Sequence, residues 1–276
     1  MNTAEQETKQ GMEENDVLKQ FIELLGQQNM GEQTQDLMEL FRYVAGMQLQ
    51  LGVMAEELQG VREQLAQMQE NQPKTVTEQL MDKAAYLQAR ITSLSERLTA
   101  VKDRLVETAE QAVDAFKEKG KAEVCRVVQK GISAVKSMLE NCQVQMVDVM
   151  TDFEKTANQI DSIGDELKQI GNSVSNVGRL LSGKGTKDVS DEKPGVGLTR
   201  AVSQPVKNAA VHMRENIDAV DRMLGKLDSL SDRMNTWKET EKSERTSLKD
   251  KLSQMKEKAG QQQKAPAPDK AKAECL

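Results

Sequence analysis

The sequence predicts an all-α protein: an elongated antiparallel helical bundle of long amphipathic helices with coiled-coil heptads. Apolar residues recur every three or four positions over most of residues 33–181, and this is the spacing of one helix face. Aromatic residues make up only 3% of the chain and charged residues 30%. Burial along apolar stripes is therefore favoured over a thick globular interior.

Charge and composition narrow the class of function. The net charge of −6 repels nucleic acid and anionic membranes overall, although a local basic face stays possible. Residues 1–15 are polar and lack the basic start and apolar run of a secretory signal. No stretch approaches the roughly 20 apolar residues that span a bilayer. We therefore expect a cytoplasmic protein without membrane insertion.

The first 72 residues predict a disordered lead (1–15), then a short helix and a heptad helix (16–72). Asp16 can cap the short helix, which is too short to stand alone and is expected to dock on the next helix. The heptad helix covers residues 33–71, and the positions flanking its seam are mostly uncharged. An intramolecular antiparallel bundle is therefore favoured over a charge-matched zipper. The seam residues are Leu37, Leu40, Val44, Met47, Leu51, Met54, Leu58, Val61, Leu65 and Met68.

Pro73 ends this helix, and residues 75–181 form a second helical region. The continuous seam from Leu80 to Leu181 predicts one long helix or two collinear helices. Its register slips by one residue around Gly120, where we expect a break, kink or bend. Next come a linker (182–197), a C-terminal helix (198–258) that carries Pro205 in its first turns, and a disordered tail (259–276).

Glycines repeat seven residues apart on the flank of the second seam, each after a β-branched residue. Because glycine weakens a helix, the series indicates either a groove for a closely apposed partner helix or a frayed helix end. The pairs are Ile163–Gly164, Ile170–Gly171 and Val177–Gly178.

The cysteines do not indicate a disulfide framework. Cys125 and Cys142 both fall on the seam; on one helix they would lie about 25 Å apart. Burial as small hydrophobic residues is favoured over a thiol switch or an inter-chain disulfide. Cys275, second from the last residue, is not placed for prenylation.

Motifs for catalysis or ligand binding are weak. Gly178–Lys184 resembles the start of a phosphate-binding loop, but Gly185 stands at the Mg²⁺-ligand position and a helical seam precedes it instead of a strand. His212 is the only histidine and has no ligand-spaced neighbour. Trp237 either caps the final apolar face or anchors a partner. We predict no catalytic, cofactor or metal residue, and so not an enzyme.

Leu18–Leu65, Leu98–Gly120 (LTAVKDRLVETAEQAVDAFKEKG) and Val177–Gly185 (VGRLLSGKG) resemble an uncharacterised domain-of-unknown-function family. Its members come from Gram-positive anaerobes, often within conjugative mobile elements. The resemblance covers the first two thirds of the chain. It implies an accessory protein of a mobile element and transfers no functional residue.

The leading hypothesis is a non-enzymatic helical scaffold or adaptor that acts through coiled-coil contacts with itself or with other proteins. The alternative is a nucleic-acid-associated factor of conjugation or plasmid maintenance, suggested by the basic residues Arg200, Lys207 and Arg214, although a solvated helix surface explains such residues as well. Candidate partner contacts are Leu37, Val44, Leu51, Leu58, Leu65, Ile163, Gly164, Ile170, Gly171, Val177, Gly178 and Trp237.

Overall fold

Five helices make up the part of the chain that the structure, a computed structural model, describes. The described residues are 16–28, 30–68, 74–181 and 194–262, and they contain no strand. The all-α class predicted from the sequence is therefore confirmed. The helices are α1 (Asp16–Gln27), α2 (Gly31–Met68), α3 (Lys74–Lys119), α4 (Lys121–Leu181) and α5 (Pro194–Gln262).

The four long helices close into a ring. Helix α2 contacts α3, α3 contacts α4, α4 contacts α5, and α5 returns to α2. Neighbours are antiparallel, because contacts join rising residue numbers on one helix to falling numbers on the next. Between α4 and α5, for example, Gln143 bonds Asp221 and Asp161 bonds Lys207. This is an up-down-up-down four-helix bundle, so the predicted antiparallel bundle is confirmed.

The predicted seams form the core of this bundle. Every seam residue of α2 from Leu37 to Leu65 is at most 5% exposed. The seam of α3 is buried from Leu80 to Ala115, and that of α4 from Cys125 to Ile160. Most of the buried apolar residues of α2, α3 and α4 therefore lie at the heptad positions. Each buried leucine or valine of this kind stabilises the fold by about 1.5–3 kcal/mol.

Gly120 reverses the chain, and the expectation of one long helix or two collinear helices is wrong. Its φ of +79° lies in the left-handed region that favours glycine. Its amide donates to the carbonyl oxygens of Ala115 (3.1 Å) and Phe116 (3.2 Å), which caps α3. Helix α4 begins at the next residue and runs back along α3, where Tyr86 Oη donates to Asp152 Oδ2 at 3.4 Å. The predicted break at Gly120 is confirmed, in the form of a hairpin.

Helix α1 covers one end of the bundle. It buries Leu18, Phe21 and Leu25, and it packs more extensively on α3 than on α2. The prediction that α1 docks on the next helix in the sequence, α2, is therefore only partly right. The turn between α1 and α2 is closed by the Met30 amide, which donates to the Leu25 carbonyl at 2.9 Å.

The C-terminal helix is longer than the sequence indicated. It begins at Pro194 instead of near Leu198 and continues to Gln262 instead of ending near residue 258. Proline at a helix start loses no hydrogen bond, because the first amides of a helix have no partner within it. Residues 1–15, 182–193 and 263–276, where a lead, most of a linker and most of a tail were predicted, lie outside the described residues.

Candidate interaction surfaces

The seam residues proposed as partner contacts lie inside the bundle. Leu37, Val44, Leu51, Leu58 and Leu65 are between 0% and 5% exposed. Their neighbours are helices of the same chain, as the nearly uncharged flanks of the seam favoured. A role for them in binding another protein stays a prediction, and it would require the bundle to open.

The glycine series lies at the far end of α4. The backbone is helical through Leu181, so Gly164, Gly171 and Gly178 occupy one side of a helix. Ile163 is partly buried against the core and borders an open groove of about 370 Å³ beside Leu80 and Lys83. The side chains beyond Ile163 lie outside the described set, and with them the environment of Ile170 and Val177. Partner binding through this series stays a prediction.

Trp237 marks the end of the packed bundle. Its ring is partly buried against the core, and the Nζ of Lys121 lies 5.6 Å from the ring centroid. Lys121 is the first residue of α4, so this cation–π contact joins the start of α4 to α5. Capping of the final apolar face agrees with this position; anchoring of a partner stays a prediction.

Helix α5 continues well past Trp237. From Trp237 to Gln262 it extends about 38 Å at 1.5 Å per residue, and every residue from 246 to 256 is exposed. Leu248, Leu252 and Met255 are 60%, 59% and 71% exposed. Their spacing of four and three residues places them on one helix face. The sequence indicated only a charged segment with a few apolar residues here, and these three were not among the predicted contacts.

An ionic cluster joins α2 to α5 near the same end. Asp36, whose side chain is 5% exposed, accepts from Lys226 Nζ (3.1 Å) and Arg233 Nη1 (3.0 Å). Glu39 pairs with Lys226 at 2.8 Å. The hydrogen bond from Lys226 holds the pKa of Glu39 below its ordinary value, and the bond to Glu39 raises the pKa of Lys226. Sequence reasoning missed this cluster because its two sides are far apart in the chain.

The interior contains little empty space where the five helices meet. A small, partly open cavity of about 20 Å³ lies there among Phe21, Leu37, Leu105, Ile132 and Leu230, with room for about one water molecule. Beside it α3 and α4 approach closely: a Cβ added at Gly131 would lie 2.8 Å from the Cβ of Thr108 and would also overlap its Cγ2 and Oγ1.

One side chain of the core is an amide. Asn216 is fully buried in α5, and neither its Oδ1 nor its Nδ2 has a hydrogen-bond partner among the described residues. Burying an unpaired amide is unfavourable by about 1–3 kcal/mol. This position therefore lowers stability relative to an apolar residue of similar size.

Both cysteines of α4 are buried, as the seam predicted. Cys125 is 0% and Cys142 is 1% exposed. Burial raises the pKa of the Cys142 thiol, which disfavours the reactive thiolate. The two residues share one helix, about 25 Å apart, so they cannot form a disulfide within the chain.

The weak ligand motifs find no supporting geometry among the described residues. Helix α4 includes the first four residues, 178–181, of the segment that resembles a phosphate-binding loop; the rest of that segment lies outside the described residues. His212 faces Glu215, with Nδ1 and Oε2 3.2 Å apart. No group of three or more metal-ligating side chains occurs in the described part of the chain. None of the described helices has the length and apolarity that crossing a membrane requires.

The basic residues of α5 are compensated by acidic neighbours. Lys207 pairs with Asp161 at 2.6 Å, and Arg214 pairs with Glu154 at 3.1 Å. The side chain of Arg200 is outside the described set. The nucleic-acid hypothesis stays a prediction, and the two described cations on which it rested are engaged within the bundle.

Comparison with models of protein families gives a match that covers most of the chain. The model of a protein family without an assigned function matches residues 14–273, which is more than the two thirds expected from the resemblance. No curated protein and no solved structure matches the chain. The match supports the expectation of an uncharacterised family and does not bear on a mobile-element origin.

Proposed function

The chain belongs to the family of unknown function DUF6674, and we propose that this member is a non-enzymatic helical adaptor. It holds a partner protein through the projecting end of α5. One observation carries the proposal: a helix that leaves the bundle with an exposed apolar stripe, formed by Leu248, Leu252 and Met255. We call these three residues the α5 stripe.

The α5 stripe repeats the pattern that the rest of the chain uses for burial. Its spacing of four and three residues is the spacing of the seams inside the bundle. A helical segment without tertiary contacts is only marginally stable in water. Docking a second helix on the stripe would stabilise the extension and remove its apolar surface from water.

The flanks of the α5 stripe favour a particular kind of partner. Lys249 and Lys256 border the stripe on one side and Lys251 on the other, and all three are exposed. Two copies of this surface would bring like charges together, which disfavours pairing of the stripe with itself. A partner helix with an apolar face and acidic flanks complements it.

The size of the contact predicts moderate affinity. Burying three aliphatic side chains stabilises the complex by about 1.5–3 kcal/mol each. The loss of translational and rotational freedom on association offsets a large part of that total. A reversible complex fits an adaptor. The resemblance would place the partner among the cytoplasmic proteins of a conjugative element, and that setting is part of the proposal.

Site-specific photo-cross-linking in the native cell tests the proposal. A photoreactive residue at Leu252 is expected to form an adduct with a protein, and the adduct should map to an amphipathic helix with acidic flanks. The matched control is Asp250, which lies on the opposite face of the same turn and should give no such adduct. Equal adducts from both positions, no adduct, or an adduct with lipid would each contradict the proposal.

Affinity measurements with the purified partner then show how much the α5 stripe contributes to binding. The double substitution Leu248→Lys and Leu252→Lys is expected to weaken binding at least about a hundredfold, because it removes two apolar contacts and places two charged groups against the apolar face of the partner. Asp250→Lys changes the net charge by the same amount on the opposite face and should leave the affinity within about threefold. Unchanged affinity of the double variant would refute the assignment of the α5 stripe.

A further inference from the structure

The outward face of α2 carries three exposed apolar residues, although the opposite face of the same helix already forms the core. Met38, Leu49 and Val53 are 39%, 41% and 41% exposed. At 100° per residue these three residues lie within about 60° of one another around the helix. Large apolar side chains exposed on the face opposite the core are typical of a contact surface.

The neighbours of Leu49 fix the direction of this face. Gln48 Nε2 donates to Thr99 Oγ1 of α3 at 2.9 Å, and Gln50 Nε2 donates to Glu215 Oε2 of α5 at 2.9 Å. The residues on either side of Leu49 therefore reach the two adjacent helices. Leu49 itself points away from the bundle.

Glycines on α2 leave this face open to close approach. A Cβ added at Gly46, Gly52 or Gly60 would meet nothing within 4 Å, so packing inside the chain does not require glycine there. Each glycine destabilises the helix by about 0.5–1 kcal/mol relative to alanine. On the outer face their absent side chains would let a second helix approach more closely.

The charges of the face are complementary about its centre. Arg42 lies seven residues before Leu49 and Glu56 seven residues after it, and both are exposed. Arg42 interacts electrostatically with Glu39 on the same helix, and no ion pair of Glu56 occurs among the described residues. If two copies of α2 pack antiparallel about a two-fold axis at Leu49, each Arg42 faces the Glu56 of the other copy. The same axis places each Met38 against the other copy's Gly60, where no side chain obstructs it.

We propose that the outer face of α2, from Met38 to Gly60, is a self-association surface. It binds a second copy of this chain in an antiparallel, two-fold arrangement centred on Leu49. The contact is independent of the α5 stripe, which lies on a different helix. It would make the adaptor bivalent, since each copy brings one projecting α5.

The size of the face sets the expected strength. From Met38 to Gly60 the helix spans about 33 Å. A strip about 10 Å wide then buries about 330 Å² per copy, less than the roughly 800 Å² per partner of a standard stable interface. The dimer is therefore expected to be weak, with a dissociation constant of micromolar or higher.

Cysteine cross-linking of the full chain tests the geometry. In a Cys275→Ser background, Leu49→Cys on the two-fold axis is expected to form a disulfide with its own copy under mild oxidation. Met38→Cys is the matched control, because it is on the same face but lies about 33 Å from its copy in the antiparallel arrangement. Cross-linking of Met38→Cys as fast as Leu49→Cys would overturn the two-fold axis.

Sedimentation analysis with a charge swap tests the association without cross-links. Between about 10 μM and about 1 mM, wild type is expected to shift from monomer to dimer. Arg42→Glu and Glu56→Arg should each weaken the dimer about tenfold by placing like charges together, and the double swap should restore it. Lys155→Glu and Asp148→Arg make the same charge changes on α4 and should have no effect.

The outcomes separate this proposal from the adaptor function. Monomer at all concentrations, or a double swap as weak as either single variant, would overturn the self-association surface and leave the α5 stripe untouched. Leu252→Lys, which disables the α5 stripe, should leave the dimer intact. Loss of the dimer in Leu252→Lys would show that the copies associate through α5. That result would also overturn the self-association surface on α2.

Discussion

Among the glycines that the structure describes, Gly131 is the one at which an added methyl group meets a neighbouring side chain. We expect Gly131→Ala to destabilise the chain, although alanine is the better helix former. The added Cβ would lie 2.8 Å from the Cβ of Thr108 and closer still to its Cγ2 and Oγ1. Ordinary contacts of a Cβ begin near 3.4 Å, so α3 and α4 must move apart or Thr108 must rotate.

Thr108 cannot rotate freely. It is β-branched, which restricts χ1 in a helix, and its Oγ1 donates to the Arg104 carbonyl at 2.7 Å. Overpacking of this kind is unfavourable by about 1–3 kcal/mol, and we expect the upper end because two helix backbones must separate. The alanine preference offsets about 1 kcal/mol. The net loss should therefore be about 1–2 kcal/mol.

Urea unfolding followed by circular dichroism measures this difference. The matched control is Gly225→Ala in α5, where an added Cβ meets nothing within 4 Å; it should gain about 0.5–1 kcal/mol. In the Gly131→Ala background, Thr108→Ala should rescue stability in part, because the two Cβ atoms still overlap, and Thr108→Gly should remove the overlap. Stabilisation by Gly131→Ala equal to that by Gly225→Ala would refute the close approach of α3 and α4.

Two further predictions concern polar groups between the helices. Asn216→Leu should raise the free energy of unfolding by about 1–2 kcal/mol, because it replaces an unpaired buried amide with an apolar side chain; a lower urea midpoint would contradict the burial of an unpaired amide. The lowered pKa of Glu39 stabilises the fold above its unfolded pKa near 4.3, and this contribution is lost as the pH falls through the lower folded pKa. The raised pKa of Lys226 stabilises the fold below its unfolded pKa near 10.4, and this contribution is lost as the pH rises through the higher folded pKa. Lys226→Met should flatten both limbs of the stability profile by less than about 1 kcal/mol, and a profile identical to that of wild type would contradict the pairing.

Local patterns predicted the helices and their buried faces. The spacing of Leu37 to Leu65 identified the residues that the structure buries, because a core-facing stripe must follow the helical period. Gly120 was recognisable as a break from the register slip. That it reverses the chain could not be predicted, because a glycine in that position permits a kink, a bend or a turn, and only long-range packing selects among them.

Contacts between distant segments left no local signal. Asp36 was not identified because its partners, Lys226 and Arg233, follow it by 190 and 197 residues. Gly131 was not distinguished from other helical glycines, since its significance depends on Thr108 in the neighbouring helix. The outer face of α2 was overlooked because Leu49 and Val53 fall between seam residues and added only apolar character to the sequence.

Glycines in these helices have two different explanations, and the contacts around each glycine show which one applies. Gly131 faces Thr108 inside the bundle, so its missing side chain is explained by a neighbour in the same chain. Gly46, Gly52 and Gly60 face open space beside exposed apolar residues, so no neighbour in the same chain explains them. Each weakens α2 as much as an interior glycine would. These glycines destabilise α2 without a reason inside the chain, and they lie on a face whose charges are complementary about Leu49. Contact with a second copy of the chain would account for both features.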